Sequence, residues 1–294
     1  MRNQKPNRMT ILLVLCLTVV IAGGVYLAWL HQRDAQIALE NQYYRSLKSG
    51  ITIYTPSPAG NGASPGQPAL PTPLPTPDAD TIHIGLATAP PPNAEYALLL
   101  AANPDFCGWL RAGSDIDLPV VHRVNDNETY LTTNLEGEAS DGGTLFVDGY
   151  NRLYPADTLT VIYGHNMNSG EMFGRLHRFE SQDYLLAHPV VAFDTLYNSG
   201  EYVPFAAFYA RTDEVDIRQF QPTVEAFNAL VDQLQRLSLY DDGIDVRYGD
   251  SVLALVTCAG SDRARRFFLV CRRLREGETA LDALMRMEAA LDAE

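Results

Sequence analysis

The sequence predicts a mainly β fold, a β-barrel to which helices are added. Most of the second half consists of short apolar runs separated by turn residues, the pattern of many short strands. One stretch, residues 222–240, instead repeats its apolar side chains at the 3.6-residue period of a helix. Many short strands interrupted by one helix are typical of a barrel that carries helical additions. The runs that predict strands are DLPVVHRV, GTLFVDGY, TLTVIYGH, VVAFDTLY, EYVPFAAFYA, IDVRYGDSVLALVTC and RRFFLVCRRL.

Length and composition indicate one well-buried domain with appendages. The chain has 294 residues, of which 46% are hydrophobic. Its net charge of −14 argues against nucleic-acid binding, because affinity for phosphates depends on clustered lysine and arginine. The four cysteines lack the spacing of a zinc site. Cys107 and Cys271 are predicted to be two buried thiols, with an extracellular disulfide as the alternative.

The N-terminal segment, residues 1–30, is predicted to be an uncleaved transmembrane signal anchor. Residues 10–30 carry no charge, and at a rise of about 1.5 Å per residue such a helix just crosses a hydrocarbon core of about 30 Å. Basic residues precede this run, which keeps the N-terminus in the cytoplasm and the rest of the chain outside. A cleaved signal peptide is the alternative, but its apolar region would be shorter and would end in a small-residue cleavage site.

Residues 31–92 are predicted to be a helical extension followed by a stalk. Residues 32–48 have a helical composition and continue the membrane helix outward, whereas residues 55–80 are rich in proline, glycine and alanine. Such a composition cannot form a packed core and favours extended conformations, so this part is predicted to be a spacer. The folded domain is predicted over residues 93–275, and residues 276–294 are predicted to form an amphipathic C-terminal helix.

The stretch SVLALVTCAGSDRARRFFLVCRRL places a cysteine, Cys258, where one strand ends and basic residues where the next begins. A catalytic cysteine requires a nearby acid or base and a group that stabilises an oxyanion. Among the six histidines, His165 differs from the others because it directly follows a predicted strand, TLTVIYG. A histidine and a cysteine at the ends of two strands can face each other across the mouth of a barrel. On these residues alone, a buried thiol and a structural histidine are the plainer interpretation.

Several blocks of the sequence, in order, closely resemble the sortases, the membrane-anchored cysteine transpeptidases of Gram-positive bacteria. The family hallmark is TLxTC, and this chain has ALVTC, with Ala254 in place of the first threonine. The blocks NPDFCGWLRAGSDIDLPVV, GGTLFVDGYN, YGHNMNSGEMFGRL and SLYDDGIDVRYGDSVLALVTC resemble class B and lie within residues 103–274. The resemblance implies an eight-stranded sortase-type barrel with an N-terminal helix and with the inserted helix before the catalytic strand.

The resemblance also implies the roles of three side chains. Cys258 corresponds to the nucleophile and His165 to the general acid/base. Of the arginines at 263, 265 and 266, Arg266 is the candidate because it directly precedes the apolar run FFLVC, where the family's arginine opens its last strand. Arg265 is the alternative. An arginine suits this role because its guanidinium is always charged and offers several donors in a fixed fork.

The reaction that the resemblance implies is a transpeptidation through a thioacyl enzyme. A sorting motif near the C-terminus of a secreted protein is cleaved, and the acyl group passes to an amine of a peptidoglycan precursor or of a pilin. No metal or organic cofactor is expected. The enzyme would be held in the cell membrane by a single span, residues 10–30, with its catalytic domain extracellular.

One departure from the family concerns the residues after the nucleophile. Class B members often carry a polar residue and a tyrosine there, whereas this chain has Ala259 and Gly260. The resemblance therefore does not by itself imply that this chain has the substrate preference of the class. A pilus-polymerising sortase and a catalytically silent cell-surface binding module are the alternative functions.

Overall fold

In a computed structural model, the described residues are 8–49, 89–218, 223–259 and 262–292. At residues 8–14, 258, 259, 262 and 263 the description covers the backbone alone. The predicted proline-rich stalk, residues 55–80, lies outside the described residues.

Eight strands form one closed barrel in the order β1-β2-β3-β4-β7-β8-β6-β5. Two neighbouring pairs, β2 with β3 and β4 with β7, are parallel, and the other pairs are antiparallel. The predicted mainly β, eight-stranded barrel is thus confirmed. The strands are β1 (Phe106–Ala112), β2 (Ile116–Val121), β3 (Leu145–Val147), β4 (Leu159–Tyr163), β5 (Val191–Thr195), β6 (Glu201–Arg211), β7 (Val252–Ala259) and β8 (Asp262–Arg273).

The described residues also form five α-helices: α1 (Arg8–Lys48), α2 (Ala97–Ala102), α3 (Gln182–Ala187), α4 (Val224–Leu237) and α5 (Ala280–Leu291). The inserted helix is α4, which lies between β6 and β7 as predicted. Thr223 begins it by accepting a hydrogen bond from the backbone amide of Ala226, and its apolar face packs on β6. The helix is shorter at its C-terminal end than the prediction. Tyr240 follows it as a buried residue whose hydroxyl donates to the carbonyl of Phe179 at 2.8 Å.

The centre of the barrel is formed by β7 and its neighbours. Residues 252–257 of β7 are all buried, so this strand is covered on both faces. A strand with two buried faces has a continuous apolar sequence, which is why VLALV shows no alternation with polar residues. Residues 267–272 of β8 are buried in the same way. The ends of these two strands, where the predicted catalytic residues lie, are therefore held by the most buried part of the sheet.

The long helix α1 has two different environments. Its Leu15–Lys48 part is the one described helix that is long and apolar enough, by length and composition, to cross a membrane. The apolar side chains of residues 15–29 are exposed, among them Val20 and Leu27. Further along, Ile37, Asn41 and Tyr44 are buried on one face of the same helix, against the barrel domain. A single helix therefore joins the exposed apolar segment directly to the folded domain.

Cys107 and Cys271 are free thiols, and both are buried. Burial in apolar surroundings raises the pKa of both thiols, so they stay protonated and unreactive. The prediction of two buried thiols is confirmed, and the alternative of a disulfide between them is excluded.

Asp242, just after α4, is a buried carboxyl group with an incomplete set of partners. It is 2% exposed, and its Oδ1 accepts a hydrogen bond from the amide of Ile244 at 3.2 Å. Its Oδ2 has no hydrogen-bond partner among the described residues. Burial raises the pKa of this carboxyl from 3.8 to about 7, with a smaller contribution from the charge of Asp241.

We expect Asp242 to make the stability of the protein fall as the pH rises. Between pH 3.8 and about 7 the folded state binds the proton and the unfolded state does not, so each step up in pH favours unfolding. The total effect is up to roughly 4 kcal/mol, from about 1.4 kcal/mol for each unit of pKa shift. Asp242→Asn keeps an oxygen acceptor for Ile244 but never ionises. The difference in melting temperature between Asp242→Asn and the wild type should therefore shift in favour of the variant when the pH is raised from 5 to 8.

The matched control is Asp241→Asn, which changes the exposed neighbouring carboxyl group. Thermal unfolding of the full chain in detergent at both pH values measures the difference. Equal pH dependence in the wild type and in Asp242→Asn would show that Asp242 does not titrate with folding.

Candidate active site

The three predicted catalytic residues lie on three neighbouring strands or, for His165, two residues beyond the end of one. In the barrel, β7 lies between β4 and β8. Cys258 is the penultimate residue of β7, and its backbone pairs with Arg266 of β8 in antiparallel register. On the other side, β7 pairs in parallel with β4, and Tyr163 at the end of β4 lies opposite Val256. The chain therefore passes from β4 into His165 beside the end of β7.

Two hydrogen bonds continue the pairing of β4 and β7 beyond Tyr163. The amide of Gly164 donates to the carbonyl of Val256 at 3.3 Å. The Thr257 hydroxyl donates to the carbonyl of Gly164 at 2.7 Å. Because Gly164 is held beside Thr257, the next residues along both strands, His165 and Cys258, come to the same level of the sheet.

Gly164 is required at this point for a steric reason. A Cβ atom there would lie 2.4 Å from the side chain of Leu145 and 2.7 Å from that of Phe173. Neither of these buried residues has room to move away, because interiors are close-packed. The glycine thus lets the chain pass over the core directly before the histidine.

The imidazole of His165 is oriented by a backbone carbonyl. Its Nε2 lies 2.6 Å from the carbonyl oxygen of Leu131, in the connection between β2 and β3. A carbonyl oxygen only accepts, so this contact is satisfied by a ring that carries its proton on Nε2. In the neutral ring Nδ1 is then the basic nitrogen. This arrangement can supply an acid or a base while the ring is held in one orientation.

The neighbouring residues Arg265 and Arg266 have different surroundings. Arg266 is half-buried and lines a groove that His165 and Thr257 also line. Arg265 is exposed, and its guanidinium lies over the ring of Tyr209, 4.7 Å from the centroid. Successive residues of a strand point to opposite faces, which accounts for the separation. Of these two arginines, Arg266 is the one that lines the groove. The side chain of Arg263 is not among those that the structure describes.

The groove has a volume of about 410 Å³, within the range of ligand-binding clefts. Residues of the segment after β6, between Thr212 and Arg218, line it, as do Asn127 and Leu131 from the connection between β2 and β3. Apolar side chains of Phe146, Val256 and Phe268 also line it. The surface thus combines apolar side chains with polar and charged ones.

Sequence reasoning missed several groups around this groove. The acceptor at Leu131 is a backbone carbonyl, and every residue type has one, so the sequence does not reveal it. Asp216 and Arg218 form an ion pair at 3.4 Å in the segment after β6, where the sequence shows no strand or helix pattern. Thr257 lies within the ALVTC block that marks the resemblance, but its hydrogen bond to the carbonyl of Gly164 could not be predicted from that block. Within the described ranges, no three His, Cys, Asp or Glu side chains cluster so as to hold a metal ion.

No family model matches the chain. Among curated proteins, it is 32% identical over 157 residues to sortase B of Listeria monocytogenes, which covers 53% of this chain and 63% of that protein. It is 26% identical over 181 residues to sortase B of Staphylococcus aureus, covering 60% of this chain and 74% of that protein. The chain thus spans somewhat less than two thirds of the Listeria protein.

Solved structures resemble the fold as well. The sortase B–substrate complex of Staphylococcus aureus matches with a TM-score of 0.59 and 25% identity, over 63% of this chain and 87% of that one. A mutant form of Clostridium perfringens sortase B matches with a TM-score of 0.57 and 27% identity, over 62% of this chain and 87% of that one. The resemblance seen in the sequence motifs is confirmed, because the chain is similar to class B sortases both in sequence and in fold.

Proposed function

We propose that this protein is a sortase-type cysteine transpeptidase, with residues 93–275 as its catalytic domain and residues 276–294 as its C-terminal helix. The observation that carries the proposal is the backbone register, in which Cys258 pairs with Arg266 and the residue before His165, Gly164, is hydrogen-bonded to β7. Cys258, His165 and Arg266 are the nucleophile, the acid/base and the charged donor that acyl transfer by a thiol requires. The similarity to sortase B of two organisms supports the same activity.

The first half of the proposed reaction forms a thioester. The thiolate of Cys258 attacks a backbone carbonyl carbon in a sorting motif of a secreted protein, and a tetrahedral intermediate forms. Arg266 donates hydrogen bonds to the developing oxyanion, a role that suits a fixed and permanently charged fork. When the C–N bond breaks, His165 gives its proton to the leaving amine. The acyl group then remains on the sulfur of Cys258.

The second half transfers the acyl group to an acceptor. An amine of a peptidoglycan precursor, or of a pilin, attacks the thioester carbon while His165 accepts its proton. The C–S bond breaks, an amide is formed, and the thiolate of Cys258 is regenerated. The enzyme, the donor peptide and the acceptor amine together account for every bond that breaks or forms and for every proton that moves. The proposed reaction therefore requires no metal or organic cofactor.

We also propose that residues 10–30 anchor the protein in the cell membrane as a single span, with the catalytic domain outside. Within this segment, the apolar side chains of residues 15–29 are exposed, as those of a membrane span would be. Tyr26 and Trp29 stack near its C-terminal end, and these two residue types favour the membrane–water interface. The basic residues before the span favour a cytoplasmic N-terminus.

Protease added to intact protoplasts tests the topology. With the catalytic domain outside, proteolysis should remove it and leave a short fragment that carries an N-terminal epitope. The same digestion after lysis is the control for access to the epitope. A full-length protein that survives digestion of intact protoplasts would place the domain on the cytoplasmic side.

Substitutions at the three site residues test the chemistry. Cys258→Ala should abolish both the thioacyl adduct and transfer, because the nucleophile is gone. Arg266→Ala should still allow alkylation of Cys258 but should reduce turnover by about 10²–10³, the usual loss for one oxyanion donor. Mass spectrometry of the adduct with a library of sorting-motif peptides, together with transfer rates, measures both effects.

The matched control is Arg265→Ala, the adjacent arginine that stacks on Tyr209. We expect it to change turnover by less than about threefold, since a surface cation–π contact stabilises by only about 0.5–1 kcal/mol. If Arg265→Ala is the more damaging of the two, the assignment of Arg266 is wrong. If Cys258→Ala retains transfer, the proposed function itself is wrong, and a catalytically silent binding module becomes the better interpretation.

A further inference from the structure

The loop that begins at His165 rests on the helix that carries the predicted membrane anchor. Its two ends are tied together, because the amide of Phe173 donates to the carbonyl of His165 at 2.9 Å. Near its far end, Asn41 of α1 donates from Nδ2 to the Oε2 of Glu171 at 2.5 Å. The same nitrogen lies 3.9 Å from the sulfur of Met172.

The Asn41 side of this contact is buried, and Glu171 is half-buried. Asn41 is 4% exposed although its side chain is polar, and a buried amide is costly unless it is hydrogen-bonded. Met172 has a φ of 53°, a left-handed conformation that side chains other than glycine rarely adopt. The loop is therefore held in a conformation that its own backbone does not favour. Contacts from outside the loop, including those of Asn41, add to the hydrogen bonds within the loop in holding this conformation.

The segment that orients the imidazole of His165 is also held by α1. The carbonyl of Leu131 accepts from His165 Nε2, and Leu131 is followed closely by Leu135 and Glu136. Tyr44 of α1, 3% exposed, donates its hydroxyl hydrogen bond to the carboxylate of Glu136. Its ring belongs to the same apolar cluster as Tyr130 and Leu135.

A third contact fixes how close α1 comes to the barrel domain. A Cβ atom at Gly142 would lie 3.1 Å from the side chain of Ile37, so the helix packs directly on the backbone there. Ile37 belongs to the same core cluster as Met172 and Phe173 of the His165 loop. Thus α1 touches both chain segments around His165, while none of its residues lines the groove.

We propose that Asn41 and Tyr44 of α1 are positioning residues for His165. Asn41 holds the loop that carries the histidine, and Tyr44 holds the segment whose carbonyl orients its ring. The helix that anchors the protein therefore also supports the acid/base of its active site. The inference rests on the proposed function for the role of His165, but the contacts themselves do not depend on it.

The structure predicts a loss in kcat with little change in KM. Removing the Asn41–Glu171 contact lets His165 move, and a misplaced acid/base slows the chemical steps. The groove keeps its lining, so substrate binding should change little. In the full chain in detergent, Asn41→Ala and Glu171→Ala should each lower kcat about tenfold and change KM by less than twofold.

Two further variants show whether the effect comes from this contact. In the double variant Asn41→Ala with Glu171→Ala, kcat should fall no further than in either single variant, because both remove the same interaction. Glu171→Gln retains an oxygen acceptor for Asn41 and should keep kcat within about threefold of the wild type. The matched control is Gln36→Ala, an exposed residue of the same helix, which should change neither constant.

Hydrogen–deuterium exchange reports on the loop without relying on activity. In Asn41→Ala, exchange should increase at residues 164–173, including the amide of Phe173, while β7 and β8 keep the protection of the wild type. If kcat and loop exchange stay at wild-type values, the proposal is overturned. If exchange rises throughout the barrel and KM changes together with kcat, the role is merely structural and the proposal is also overturned.

The same experiment separates this inference from the proposed function. A wild-type chain that forms no thioacyl adduct with any peptide would refute the transpeptidase. The exchange comparison between Asn41→Ala and Gln36→Ala would then still decide whether α1 holds the His165 loop.

Discussion

The parallel pairing of β4 with β7 is the constraint on which the candidate site depends. Leu159 pairs with Val252, so the chain joins two strands that are about ninety residues apart in sequence. Parallel strands cannot be joined by a tight turn, and a long connection must leave the sheet and return. Here that connection contains α3, β5, β6 and α4. His165 and Cys258 lie side by side because this register holds.

The connection between β4 and β7 also contributes strands to the barrel and residues to the groove. Two of its strands complete the barrel, since β6 pairs with β8 along nearly its whole length, from Tyr202 opposite Arg273 to Arg211 opposite Arg265. Residues of the segment after β6 also line the groove. The elements that bring the catalytic strands together therefore also shape the surface on which a peptide would lie.

The helix α1 connects this site with the rest of the chain. A polar residue on an otherwise apolar helix face is easily taken as a solvent-exposed position, yet Asn41 and Tyr44 are among the most buried residues of α1. Their partners are carboxylates on two loops of the barrel, Glu171 and Glu136. Buried hydrogen bonds to charged acceptors are stronger than neutral ones and fix a geometry, which is what a loop bearing an acid/base needs.

The sequence by itself determined the mainly β class, the strands from β2 to β8 in their order along the chain, and the inserted helix. Short apolar runs between turn residues and the 3.6-residue period of a helix are local patterns, so they can be recognised without knowing how the chain packs. The motif blocks around His165 and Cys258 also carried the candidate residues, since functional residue types lie next to recognisable strands. These are features that neighbouring residues encode.

The tertiary structure alone decided which groups meet. The choice of Arg266 over Arg265 depends on the register of β8, in which a shift by one residue exchanges the two faces. The acceptor of His165 is the carbonyl of Leu131, and a backbone carbonyl has no residue type that a sequence could show. The contact of Asn41 with Glu171 joins residues 130 positions apart. Such a pairing follows from how the whole chain packs, and local sequence patterns do not encode it.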